Sequence, residues 1–341
     1  MLAPALVAPD KFKGTYSAGR VAASIAAGLR AGGLDAIELP VADGGEGTLE
    51  ALVSTLGGEL RSATVGDPLG RPVEADFALL ERLSGRRGRP AGAGPVAVVE
   101  CARASGLALV EEADRDAFAA STRGTGELIV AAVEAGARRV VVTVGGSATT
   151  DGGAGAVAAL ADAGIAPPIE VWCDTRNAWE QAPRIFAPQK GADPATVRRL
   201  EQRLARLARK APRDPRGVPL TGAAGGLSGG LWAWHGADLV QGAQAVLDAV
   251  GFDAAMAGAS LVVCGEGRLD RQTFQGKAVF EVATRARQSG VACHAIVGGC
   301  TLDTFEERIL DLQTVTEATN PAGLTAAGHR LAETVLASAS A

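Results

Sequence analysis

The chain has 341 residues, 47% of them apolar and only 4% aromatic, with 45 glycines and a formal charge of −5. That length accommodates two domains, and the apolar share supports a sizeable core built from Ala, Val and Leu. The acidic balance argues against the basic face of a nucleic-acid protein, and no apolar run reaches the roughly 18 residues of a membrane span.

Residues 6–8 read as a first strand that ends in Pro9-Asp10-Lys11-Phe12-Lys13-Gly14-Thr15. Ser17 can cap the following helix, whose Val21, Ile25 and Leu29 fall on one face. A second strand over 36–39 leads to Asp43-Gly44-Gly45-Glu46-Gly47-Thr48, with a helix from about 49 to 56. This βαβα order puts Asp10 and Asp43 at the C-terminal ends of neighbouring strands, where open α/β sheets collect ligands. Either aspartate alone would be read as a helix cap. Two of them beside Lys11 and Lys13 favour a site.

From 59 to 100 the pattern changes to strands over 61–65, 73–77 and 96–99, joined by the turn at Gly66-Asp67-Pro68-Leu69-Gly70, which predicts an antiparallel meander in a second domain. The segment 84–94 is basic and of low complexity, and reads as a solvated loop. Ser121 to Glu127 precedes a helix over 128–135. Then comes an unbroken β-branched run, 140–144, suited to a parallel strand buried on both faces. It opens into Gly145-Gly146-Ser147-Ala148-Thr149-Thr150-Asp151-Gly152-Gly153 and an Ala-rich helix over 154–163. Strand, Gly/Ser/Thr loop and helix is a phosphate-binding layout: glycines admit the anion to backbone N–H groups, hydroxyls donate, and the helix start is positive. A carboxylate repels phosphate, so Asp151 must be a magnesium ligand, a base or a helix cap.

The strand 169–174 ends in Asp174, and Pro188-Gln189-Lys190-Gly191 follows. The basic helix 196–208 reads as a solvated face. Residues 221–230 form a second Gly-rich loop that opens a helix. A strand over 260–264 runs into Gly265-Glu266-Gly267-Arg268-Leu269-Asp270, then Gly276-Lys277, a helix over 278–288 and a strand over 292–297, a second βαβ unit. His235, His294 and His329 show no metal or triad spacing. Only five basic residues are lysine, and the other 28 are arginine. Lys11, Lys13, Lys190 and Lys277 all fall in these motifs, which suggests sites that want a compact ammonium. Met1 to Pro4 leads straight into a strand, leaving no room for a signal peptide. The five cysteines form no CxxC pair, so reduced thiols and a cytoplasmic location are expected.

Taken together, Ala8 to Gly14, Ala42 to Thr48, Gly124 to Leu128, Gly145 to Gly153, Cys173-Asp174, Pro188 to Gly191, Gly222 to Leu227 and Gly265 to Lys277 resemble, in order, the class I glycerate kinases, a bacterial family that phosphorylates glycerate with ATP. The resemblance implies two α/β domains with the active site in the cleft between them. One would be flavodoxin/Rossmann-like with a mainly parallel sheet, the second smaller with a mixed sheet. The expected division is 1–58, 113–165 and 255–341 for the flavodoxin-like domain, and 59–112 with 166–254 for the other.

In such a kinase, positioning and charge neutralisation do most of the work. Gly145, Gly146, Ser147, Thr149, Gly225 and Gly226 would cradle ATP, while Lys11, Lys190 and Lys277 neutralise phosphate or the glycerate carboxylate. Lys13, Asp43, Asp174 and Asp270 are set toward catalysis, with Asp270 the favoured base; Asp151, Glu266 and Glu46 are set toward Mg²⁺. The expected product is 2-phosphoglycerate from D-glycerate, made by a monomer or homodimer that needs neither nucleic acid nor membrane. Three departures from the family stand out: Thr150 in place of Asn, a missing segment between Ala163 and Ile169, and Ala178 to Arg184 in place of a Pro/Gly loop. The missing segment supports an alternative, a non-catalytic or altered-substrate relative that lost part of the substrate domain. A dinucleotide-dependent oxidoreductase would need G-x-G-x-x-G after the first strand, where Pro9 to Gly14 stands instead.

Overall fold

Eleven strands appear among residues 2–12, 14–83 and 94–339, which a computed structural model of the chain describes. They are β1 (Ala5–Pro9), β2 (Ala36–Glu38), β3 (Glu59–Gly66), β4 (Pro72–Leu80), β5 (Val96–Glu100), β6 (Arg139–Val144), β7 (Ile169–Cys173), β8 (Asp238–Gln241), β9 (Leu261–Gly265), β10 (Cys293–Val297) and β11 (Leu312–Glu317). Lys13 and most of the basic segment 84–94 lie outside the described residues.

The chain divides into two units. The first comprises Met1–Asp43, Glu50–Thr55 and Val246–Ala341. Its sheet has the order β11-β10-β9-β1-β2, and every pairing is parallel. Counted along this unit the order is 2-1-3-4-5, that of flavodoxin-like sheets, and it reverses between β1 and β9. β1, β9 and β10 are buried along their whole length, as strands covered by helices on both faces must be. The helix Ala18–Ala31 starts on the Ser17 cap, and Val21, Ile25 and Leu29 are buried at the predicted spacing. It packs against the C-terminal helix Pro321–Ala339, whose Leu324 and Leu331 join the same core.

The second unit comprises Gly44–Leu49 and Leu56–Ala245, with the sheet order β3-β4-β5-β6-β7-β8. β3, β4 and β5 pair antiparallel, as the meander predicted. β5 to β8 pair parallel. This corrects the expected division: 113–165 belongs with the mixed sheet, and that unit is therefore the longer one. The cause is β6, whose partners are β5 (Ala97↔Val140) and β7 (Val140↔Ile169). Its valines fill the core of that sheet beside Phe77 and Leu128.

One charged cluster holds the outer helices of the first unit. Arg285 is 5% exposed and meets Asp248 at 2.8 Å, Glu281 at 3.0 Å and Asp253 at 3.4 Å. Removing one member of a buried ion network strands the others. Arg285→Met is therefore expected to destabilise the protein by about 3–5 kcal/mol in urea unfolding monitored by circular dichroism.

Candidate active site

In the first unit, the strand ends deliver a charged pocket of about 380 Å³, lined by Asp10, Lys11, Asp43, Glu266, Asp270 and Lys277 among others. Asp10 follows β1 and Glu266 follows β9, on either side of the point where strand order reverses. Ligands of open α/β sheets bind at that point. Asp10 is buried and accepts the Lys11 N–H at 2.7 Å. Burial, then the neighbouring Asp43 and Glu266, push its carboxyl well above the ordinary range, against the charge of Lys11. Glu266 is pushed up to about 7, chiefly by burial, with Lys277 and Thr273 pulling the other way. Its carboxylate accepts the Thr273 hydroxyl at 2.7 Å and lies 3.6 Å from Lys277 Nζ. Thr273 Oγ1 in turn accepts the Asp270 N–H at 3.2 Å. Asp270 accepts the Gln272 N–H at 2.8 Å, an Asx-type turn that holds its carboxylate at the pocket wall.

In the second unit, β6 runs into the glycine loop. Gly145 is required by close approach: a Cβ there would stand 2.8 Å from Asp174 Oδ2 and 2.8 Å from Gly45 Cα. Asp174, at the end of β7, and Glu46, beside Gly146, thus border the loop. Lys190 is 2% exposed. Its ammonium donates to Ser147 Oγ at 2.9 Å and to the Thr149 carbonyl at 2.5 Å. Burial lowers its pKa to about 8, against the Asp151 and Asp174 carboxylates nearby. The backbone bonds that anchor the loop leave from Ala148, to Ser105, and from Gly152, to Gly225. The hydroxyls of Thr149 and Thr150 are buried with no partner among the described residues. Unpaired buried donors are costly, which marks this loop as a candidate ligand site.

Two assignments are corrected here. Asp151 is no metal ligand. Its carboxylate is 1% exposed and accepts four bonds, from Thr122 N–H and hydroxyl (both 2.9 Å), Gly153 N–H (3.0 Å) and Gly155 N–H (3.1 Å). Three of the bonds fall on Oδ2 and one on Oδ1, and they join the starts of two helices, Arg123–Glu134 and Ala154–Asp162, so the buried carboxylate serves as a cap. Gly225 and Gly226 do not line a ligand surface. Both are buried at left-handed φ inside the helix Ala223–Gly230, and a Cβ at Gly225 would lie 2.0 Å from the Thr149 carbonyl oxygen. They support the loop from behind.

Asp10 is the residue that motif reading undervalued, because a single strand-end aspartate looks like a cap. The signal was its place on the first strand of a βαβ unit. Lys13 lies outside the described residues. Clusters of three or more His, Cys, Asp or Glu side chains able to hold a metal are absent among the described residues.

Strand-end acids, an anion loop and no histidine in either place suit an enzyme that moves a phosphoryl group between small molecules. The comparisons specify the class. The glycerate kinase family model matches residues 5–165 and 164–340, and the chain belongs to that family. It is 38% identical to a glycerate kinase of Bacillus subtilis (strain 168), with 88% of this chain and 86% of that one covered. It is 37% identical to a glycerate 2-kinase of Escherichia coli (strain K12), with 87% and 86% covered. A crystal structure of a candidate glycerate kinase 2 from Salmonella typhimurium LT2 superposes with a TM-score of 0.82 at 33% identity, over 100% of both chains. The chain is thus a kinase with the expected fold class.

The raised Glu266 carboxyl carries a stability prediction. Its folded pKa of about 7 lies above the ordinary 4.5, so its contribution is least unfavourable below pH 4.5 and worsens as pH rises through 7. Without Mg²⁺, Glu266→Gln is expected to raise stability by about 1–3 kcal/mol at pH 8 and to change it little at pH 4.5. Thermal unfolding at the two pH values checks the sign.

Proposed function

We propose that the protein transfers the γ-phosphoryl group of ATP to D-glycerate in the cytoplasm, forming 2-phosphoglycerate. The observation that supports this reading is the 145–151 loop, with its buried, unpartnered Thr149 and Thr150 hydroxyls and its two bonds to the Lys190 ammonium, at Ser147 and the Thr149 carbonyl. The 2-position is taken from the likeness to the Escherichia coli glycerate 2-kinase. The protein is read as a monomer or homodimer.

In this reading the loop backbone and the Ser147 hydroxyl meet the phosphates, and Lys11 and Lys277 of the 380 Å³ pocket meet the carboxylate of glycerate. Asp270 takes the proton of the attacking hydroxyl as the new P–O bond forms and the bond to ADP breaks. Asp43 in the first unit and Asp174 in the second are the further carboxylates set toward catalysis in this reading. Mg²⁺, when bound, neutralises phosphate charge. Glu266 and Asp43 fit it, because crowded carboxyls such as theirs and Asp10 relax around a cation, and Mg²⁺ takes only one or two protein carboxylates beside phosphate oxygens and waters. Glu46 is the carboxylate available for the same purpose beside Gly146.

ADP release measured over D-glycerate, L-glycerate and other small hydroxy acids tests the function directly. Turnover with D-glycerate and a 2-phosphoglycerate product are expected; ATP binding without acceptor-dependent turnover would leave the non-catalytic alternative. For the base, Asp270→Asn keeps the turn to Gln272 but removes the charge. It should lower kcat by on the order of 10²-fold or more with the KM for ATP little changed. An Asn variant that retains more than about a third of the rate, far above the loss of a general base, would make Asp270 a turn cap only.

A further inference from the structure

Lys190 cannot grip a nucleotide as a surface lysine does. It is 98% buried, and two of its three N–H bonds are spent on the loop itself, at Ser147 Oγ and the Thr149 carbonyl. An ammonium has donors and no acceptor. Ser147 Oγ must therefore accept from it, which leaves the Ser147 hydroxyl hydrogen to point elsewhere. Bonding of the Thr149 carbonyl to the same ammonium turns the planar 149–150 peptide so that its N–H faces the other way. A neutral amine would remove this compulsion, because its lone pair can accept the Ser147 hydrogen.

Building on the reading that the loop receives nucleotide phosphate, we propose that Lys190 is a positioning residue that sets the direction of the Ser147 hydroxyl: as an ammonium it obliges Ser147 to donate to the phosphoryl oxygens, and on losing its proton it captures that donor.

The surroundings fit such a device. The charged and titratable groups around Lys190 are Cys101 from the helix Cys101–Ser105, Asp151 from the loop and Asp174 from the end of β7. Arg115 packs against the adjacent Gly191. Cys101 is a neutral thiol, pushed up to about 12 by burial. Asp151 has its oxygens committed to four donors. Asp174 is the carboxylate left to oppose the loss of the proton, and burial outweighs it, lowering the pKa of the ammonium to about 8. Bound phosphate, a nearby anion, would retain the proton. The effect therefore belongs to the free enzyme and should appear in kcat/KM for ATP more than in kcat.

The test is the pH dependence of kcat/KM for ATP in the wild type and in Ser147→Ala. The wild type should fall as pH rises through about 8. Ser147→Ala should be about 10- to 100-fold lower at neutral pH, the worth of one hydrogen bond to a charged acceptor, and should lack the alkaline fall, so that the two curves converge at high pH. With only five lysines in the chain, ¹³C-labelled lysine NMR should show one signal titrating near 8 that is missing in Lys190→Arg. An alkaline fall preserved in Ser147→Ala, or no lysine signal titrating there, overturns the proposal. Should Lys190→Arg fail to fold, the pH dependence of the ADP dissociation constant in wild type against Ser147→Ala decides the matter. That binding measurement also separates the two readings: a protein that transfers nothing to glycerate refutes the kinase assignment, while a loss of ADP affinity above pH 8 that depends on Ser147 still supports the role of Lys190.

Discussion

Taking an ammonium out of water costs several kcal/mol even after relaxation, and the second unit carries that cost at Lys190. Two hydrogen bonds to the glycine loop offset part of it, and the lowered pKa records what is left. The rest of the site follows from this arrangement. The loop can hold unpartnered threonine hydroxyls because its path is fixed from behind, by the ammonium on one side and by the backbone at Gly225 on the other. Asp151 completes the fixation by joining the starts of two helices to the loop. A loop secured by its own buried contacts meets an anion with its donors already placed, and that preorganisation is the main contribution a protein makes to phosphoryl transfer.

The first unit reaches the same end with the opposite charge. Asp10, Asp43 and Glu266 gather where the parallel strands end, and burial, then the repulsion of neighbouring carboxylates, raises the Asp10 and Glu266 carboxyls. Lys277 at 3.6 Å relieves only part of this. Carboxyls raised in this way, beside the reversal of strand order, mark a candidate functional site.

Much of this was legible in the sequence, and the limits have physical reasons. Valine runs and Gly/Ser/Thr loops identify buried parallel strands and their ligand-binding ends, because period and turn chemistry are local. The direction of the meander was legible for the same reason. What escaped was which sheet each strand joins. The run 140–144 would suit either sheet, and only its pairing with β5 and β7 decides. Residue roles failed where a local motif had two meanings. Asp151 and Gly225 lie in phosphate-loop sequences, yet one binds backbone amides and the other makes room for a carbonyl. Burial of Lys190 could not be read from Pro188 to Gly191, since the groups that enclose it come from residues 101, 147–151 and 174.

The departures from the family can now be weighed by where they fall. The family match breaks at 164–165, in the short connection between the helix Ala154–Asp162 and β7. Neither element is lost. The other unusual stretch forms the turn Trp179–Gln181 and the helix Ala182–Phe186. Trp179 is fully buried there, and its indole N–H donates to the Leu204 carbonyl at 3.1 Å. A Cβ at Gly152 would meet its ring at 2.6 Å, so the ring backs the far end of the glycine loop. A replacement segment that keeps the loop supported preserves the part of a kinase most sensitive to position, since misplacement of even about 1 Å is costly in catalysis. The segment at 178–186 therefore acts on the scaffold behind the glycine loop, and every charged side chain of the 380 Å³ pocket comes from outside both altered stretches.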